Sequence, residues 1–145
     1  MATANTDNMA DVVMAVAEGF VRDLAAAIHA DIVVGTPVKT GRAMGSWAAS
    51  LVDPASLLIQ EGLGTPDRSA NAAEASARAV RTGQAVIRRF KLAGNRIIII
   101  ANPVPYMQDL EVGSSRQAPH GVAARAIQSV MTRFKPNFGP MKVMP

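Results

Sequence analysis

Four consecutive isoleucines, Ile97, Ile98, Ile99 and Ile100, constrain this chain more than any other feature in it. Branching at every Cβ disfavours a helix and suits a pleated, packed strand, so residues 97–101 are expected to form the central strand. Asn102 and Pro103 end it, because proline brings no N–H to a ladder and holds the residue before it extended. Pro105 suits the first position of a short helical turn that sets Tyr106, Met107 and Leu110 on one side, with Gly113 closing it. Residues 114–117 read as a polar loop exposing Arg116, and Ala118-Pro119-His120-Gly121 restarts the chain as a last helix.

Upstream, Val13, Val16, Phe20, Leu24, Ala27 and Ile28 recur at helical spacing, which predicts one apolar helix face over residues 7–33. Asn8 is its expected cap, with Asp11 near the positive end of the dipole. Such a helix is ~40 Å long at 1.5 Å per residue, more than so small a domain covers, so part of it is expected to project or to pack on a neighbour. Gly35, Thr36 and Pro37 terminate it. Residues 40–47 then read as a turn-rich loop leading into a strand at 46–52, and residues 57–59 as a short strand pairing with it. Asn71 with Glu74 is a capping-box pattern opening a second helix over 72–92, with Ala79, Val80, Gly83, Val86, Ile87 and Phe90 inward. A final helix is expected over 120–134 with Ala123, Ile127, Val130, Met131 and Phe134 inward. The first six residues read as a frayed start and residues 135–145, with three prolines, as an irregular tail. The sum is one α+β domain over residues 1–145: a small, mostly antiparallel sheet packed against a long N-terminal helix and two further helices.

Two blocks in this chain resemble the paired signatures of the neck or tail-completion proteins of long-tailed bacteriophages. One is Thr36-Pro37-Val38-Lys39-Thr40-Gly41-Arg42-Ala43-Met44-Gly45-Ser46; the other runs from Asn102 through Tyr106, Leu110-Glu111, Gly113-Ser114 and Gln117-Ala118-Pro119 to Gly121. The resemblance implies a virion protein, assembled in the bacterial host cytoplasm, that completes the tail and joins it to the DNA-filled head. It implies a homo-oligomeric ring, six- or twelve-fold, touching head-completion or connector proteins on one side and tail-terminator or tail-tube proteins on the other. A tail-terminator or other connector-ring role is the near alternative. No catalytic, cofactor or metal residue is implied.

The residues themselves agree with an absence of chemistry. There is no cysteine and there are only two histidines, His29 and His120, which excludes thiolate and histidine-rich metal sites. Residues 35–41 lack the order of a phosphate loop and follow a helix where that motif needs a strand. Ser114, His120 and Asp109 have no nucleophile elbow around them. His29 reads as a helix-edge residue and His120 as a loop residue. Asp109 and Glu111 are two apart, so on a helical turn they diverge; a solvated face is one reading, and the resemblance makes Glu111 a partner contact. No apolar stretch approaches the ~20 residues of a membrane span, and no basic segment precedes an apolar run at the start, so neither membrane nor leader is expected.

Charge is uneven. Residues 1–35 hold Arg22 against Asp7, Asp11, Glu18, Asp23 and Asp31, a net of −4, and the chain's total of +4 leaves +8 for the remainder. Opposed ends suit head-to-tail contact between copies, whereas Arg78, Arg81, Arg88 and Arg89 also suit weak contact with passing DNA. Aromatic residues make up 4% of the chain, too few for the stacking platforms of a single-strand or RNA binder. A non-specific DNA-binding protein is therefore the alternative from another class. The expected contact surface is Arg42, Trp47, Tyr106, Glu111, Ser114, Arg116 and Gln117. Two alternatives stand beside it: Trp47 as a core anchor under its loop, and Arg42 with Glu111 as a tie between the two blocks inside one subunit.

Overall fold

A computed structural model describes residues 3–38, 42–52, 71–94 and 97–134. The order is α1 (Thr3–Gly35), α2 (Arg42–Gly45), β1 (Ala48–Val52), α3 (Ala72–Ile87), a 3-10 turn (Leu92–Gly94), β2 (Ile97–Ala101), α4 (Met107–Glu111) and α5 (Ala123–Arg133). This is the expected α+β architecture. The isoleucine run is β2, and it pairs antiparallel with β1, the two strands of the sheet among the described residues, in a register that sets Ala48 opposite Ala101 and Val52 opposite Ile97. The strand expected at 57–59, the turn before it, and the expected tail at 135–145 lie outside the described residues.

α1 is longer than its apolar periodicity predicts, 33 residues or ~50 Å at 1.5 Å per residue. The face it buries is only partly the predicted one: Ile28 packs against the core, but the N-terminal half of the stripe does not. His29, Ile32 and Val33 are buried, whereas Val13 and Val16 are each 60% exposed and Phe20 sits at the boundary. The helix turns about 100° per residue, so the stripe through Val13, Val16 and Phe20 lies roughly opposite the one through Glu18, Ala25 and His29. Apolar spacing alone cannot tell which of two stripes the body covers. Here the covering body is α3 with the 3-10 turn: the Arg22 guanidinium donates to the Phe90 carbonyl at 2.6 and 2.9 Å, and Glu18 accepts from Leu92 N–H at 3.0 Å.

α3 starts as its sequence predicts, with Asn71 Oδ1 accepting from Ala73 and Glu74 N–H at 3.0 and 3.2 Å. Its buried stripe is Ala75, Ala79, Gly83 and Ile87, after which the chain leaves the helix in a turn and Phe90 drops back into the core. The small residues let α1 approach closely: a Cβ on residue 83 would lie 2.2 Å from the His29 ring. α5 begins at Ala123, three residues later than expected, and buries Val122, Ala126 and Val130. Ile127 and Met131, expected inward, are exposed; the turn of the helix carries them past the contact. Phe134 meets Phe20 edge-on at 5.7 Å between ring centres. The core that results gathers Val33 of α1, Met44 of α2, Trp47, Val104, Met107 and Val122 into one cluster. Fully burying a side chain such as Val33 or Val122 contributes about 1.5–3 kcal/mol.

Candidate functional site

The end of α1 is locked to the first signature block by one hydroxyl. Thr36 Oγ1 donates to the Ile32 carbonyl at 2.7 Å and accepts from the Trp47 indole N–H at 2.8 Å, both within the buried interior. Trp47 is 8% exposed, so of its two readings the core anchor is the one the fold adopts. Arg42 opens α2, a short helix where a turn-rich loop is expected, and its carbonyl accepts from Ser46 Oγ at 2.6 Å. The Arg42 side chain faces outward.

The second block folds against the first. Asn102, at the end of β2, spans the proline after it in an Asx turn, its Oδ1 accepting from Val104 N–H at 3.0 Å. Its Nδ2 donates to the Ala43 carbonyl of α2 at 2.6 Å. Farther on, Gln117 Oε1 accepts from Val38 N–H at 3.1 Å. Two side-chain amides thus join segments that are 59 and 79 residues apart in the chain. Gln117 was expected to point at a partner; it is exposed, yet its amide oxygen is used inside the subunit.

The loop between α4 and α5 is held by two glycines and a carboxylate. Gly113 and Gly121 have φ of 89° and 84°, the left-handed region that a side chain disfavours. A Cβ on Gly113 would also lie 2.3 Å from the Pro119 carbonyl oxygen, and one on Gly121 2.6 Å from that of Glu111. Glu111 accepts from Val122, Ala123 and Ala124 N–H at 3.0, 2.8 and 2.9 Å, taking up the free amides at the start of α5. Burial pushes its carboxyl up, but the amides of Ala124, Ala123 and Val122 together outweigh that and hold its pKa below the ordinary value. The solvated-face reading of Glu111 is therefore replaced by a cap. The tie between the blocks is made by Asn102 and Gln117, while the Glu111 carboxylate serves α5.

Tyr106, Ser114, Arg116 and Gln117 of the second block are exposed, as is Arg42 of the first. Ser115 organises the tip, its hydroxyl accepting from Gln117 N–H at 3.2 Å and its carbonyl from Ala118 N–H at 3.1 Å. A cleft of about 440 Å³ lies where the end of α1 meets this loop, lined by Asp31, Gly35, Pro37, Gln117 and Arg125. Arg125 lays its guanidinium over Gly35, in the space a side chain there would take. Nothing in the local sequence pattern around Arg125 marks it. Asn102 carried a signal, since an Asn-Pro step at a strand end favours an Asx turn.

Arg78, Arg81, Arg88 and Arg89 are all exposed, the first two on α3 and the others in the turn that follows it. Among the described residues no group of three or more histidine, cysteine, aspartate or glutamate side chains is placed to hold a metal ion, and no helix is long and apolar enough to cross a membrane. No family model matches this chain, and comparisons with curated proteins and with solved structures find no match.

Proposed function

We propose that this protein is a structural subunit of a phage neck, completing the tail and joining it to the head as part of an oligomeric ring. One observation carries the reading: the two signature blocks, distant in sequence, are bonded to each other through Asn102–Ala43 and Gln117–Val38, and the second of them exposes Tyr106 and Arg116 on segments that follow and precede prolines. A surface whose backbone is already held by prolines, glycines and side-chain bonds loses little entropy on docking, which suits a stable protein contact. Tyrosine and arginine are also the residue types that dominate such contacts.

The test is a Tyr106→Ala, Arg116→Ala double variant. Both side chains are exposed, so the expected product is folded by circular dichroism yet leaves heads and tails unjoined in electron micrographs. Intact infectious particles built from it would sink the assignment of this surface.

A second reading, non-specific contact with DNA, is favoured by the four exposed arginines on and after α3. It predicts weak binding that is lost between low and moderate salt. Tight retardation of duplex by the isolated, monomeric protein in a gel would favour a non-specific DNA-binding protein over a neck subunit.

A further inference from the structure

Among the described residues, nothing encloses α1 over residues 8–16. Residues 8–16 are exposed on every side, yet Met9, Val12, Val13 and Val16 fall on one face, with Phe20 one turn on. Met14 widens the apolar sector, and the sector it leaves is acidic, with Asp11 and Glu18. A helix with this much apolar surface is normally enclosed.

The same molecule carries an apolar groove of about 310 Å³ on its body, lined by Leu24 and Ile28 of α1, Phe90, and Ile98 and Ile100 of β2. The arm and the groove share one uninterrupted helix, so the arm cannot fold back onto its own groove; another copy's arm can reach it. Charge points the same way. The α1 segment carries −4 against +8 for the rest of the chain, and the exposed Arg88 and Arg89 directly precede Phe90 at the groove.

We propose that the occupant of this groove is the α1 arm of a second copy, with Val13 and Val16 seated against Phe90, Ile98 and Ile100. The contact uses different surfaces on its two sides, so it leaves each copy with one arm and one groove free and propagates head to tail until a ring closes. This names the seam of the ring proposed above and rests on that reading for its closure, although the pairing itself does not require a phage.

The absence of cysteine makes the test direct. Val13→Cys protein is mixed with Ile98→Cys protein under mild oxidation; a disulfide forms only where Cβ atoms come within ~4.5 Å. The expected result is a mixed disulfide-linked dimer, and a ladder of multimers from the chain carrying both substitutions. In sedimentation, Val13→Asp with Val16→Asp should raise the concentration needed for self-association at least tenfold while leaving the helical signal unchanged. Val13→Cys protein that links only to itself, links confined to single chains, or undisturbed association of the aspartate variant would each overturn the seam. Particles that contain the protein but give no Val13-to-Ile98 link would remove the seam and keep the neck reading. Linked multimers absent from every particle would do the reverse.

Discussion

The imidazole of His29 fills the space that a side chain on residue 83 would need, with the position of a Gly83 Cβ only 2.2 Å from His29 Cε1. The seam between α1 and α3 is therefore built on one large and one absent side chain. Gly83→Ala should destabilise the protein by about 1–3 kcal/mol through overpacking, despite the better helix propensity of alanine. Combined with His29→Ala, which opens the space, it should cost less than the sum of the two, and urea denaturation of the four proteins measures that coupling.

His29 also makes the fold sensitive to acid. It is fully buried and, among the described residues, neither ring nitrogen has a hydrogen-bond partner. Burial pushes its pKa below the usual 6.5, with the nearby Trp47 backbone pulling the other way. The unfolded chain thus binds the proton more readily than the native one. Stability from this residue is complete above about pH 6.5 and declines as pH falls toward the native value. His29→Leu, of similar volume and without a titrating group, should flatten that slope in denaturation curves recorded between pH 7 and 5.

Glu111→Ala should remove all three bonds to the start of α5 at once. A cap of this kind contributes about 1–2 kcal/mol, so the denaturation midpoint should fall accordingly. Its carboxyl is held below 4.5 in the native protein, so this stability is present above that pH and is lost as pH falls through the native value. At pH 3 the variant and the parent should be closer in stability than at pH 7.

Thr36→Val keeps the shape of the side chain and deletes the acceptor for Trp47. An indole N–H left unpaired in the interior costs about 1–3 kcal/mol. Because Trp47 is the only tryptophan, its fluorescence reports the change without interference. Loss of stability with an emission maximum moved to shorter wavelength is expected; an unchanged spectrum and midpoint would remove Thr36 from the lock.

Gly113→Ala and Gly121→Ala each force a Cβ into left-handed backbone and onto a carbonyl oxygen. Backbone conformation alone costs about 1–2 kcal/mol at such a position. Both variants should lower the melting temperature and raise proteolysis between α4 and α5, while a substitution at the exposed Ser114 should do neither.

How far the sequence foretells this molecule depends on whether a signal is local. The strand at Ile97–Ala101, the stop at Asn102-Pro103, the Asn71 cap and the glycine at 113 each follow from the chemistry of a few neighbouring residues, and each is where it was expected. Residues judged by spacing alone fared differently. Val13, Val16, Ile127 and Met131 have core-like periodicity but are exposed, because periodicity alone does not say which face of a helix the body covers. His29, expected at an edge, is central for the complementary reason that only the tertiary fold supplies Gly83 beside it. In the candidate site, the loops and their outward Tyr106 and Arg116 were legible; the bonds from Gln117 to Val38 and from Asn102 to Ala43 were not, since both cross more than fifty residues of chain.

α1 runs without a break from Thr3 to Gly35, the residue before Thr36. It is in mechanical terms a strut, with the threonine–tryptophan pair as its footing. A load applied to its exposed segment over residues 8–16 meets no break in the helix before the base of the loops. A partner that grips residues 8–16 would therefore bear on the loops at its foot through this single element.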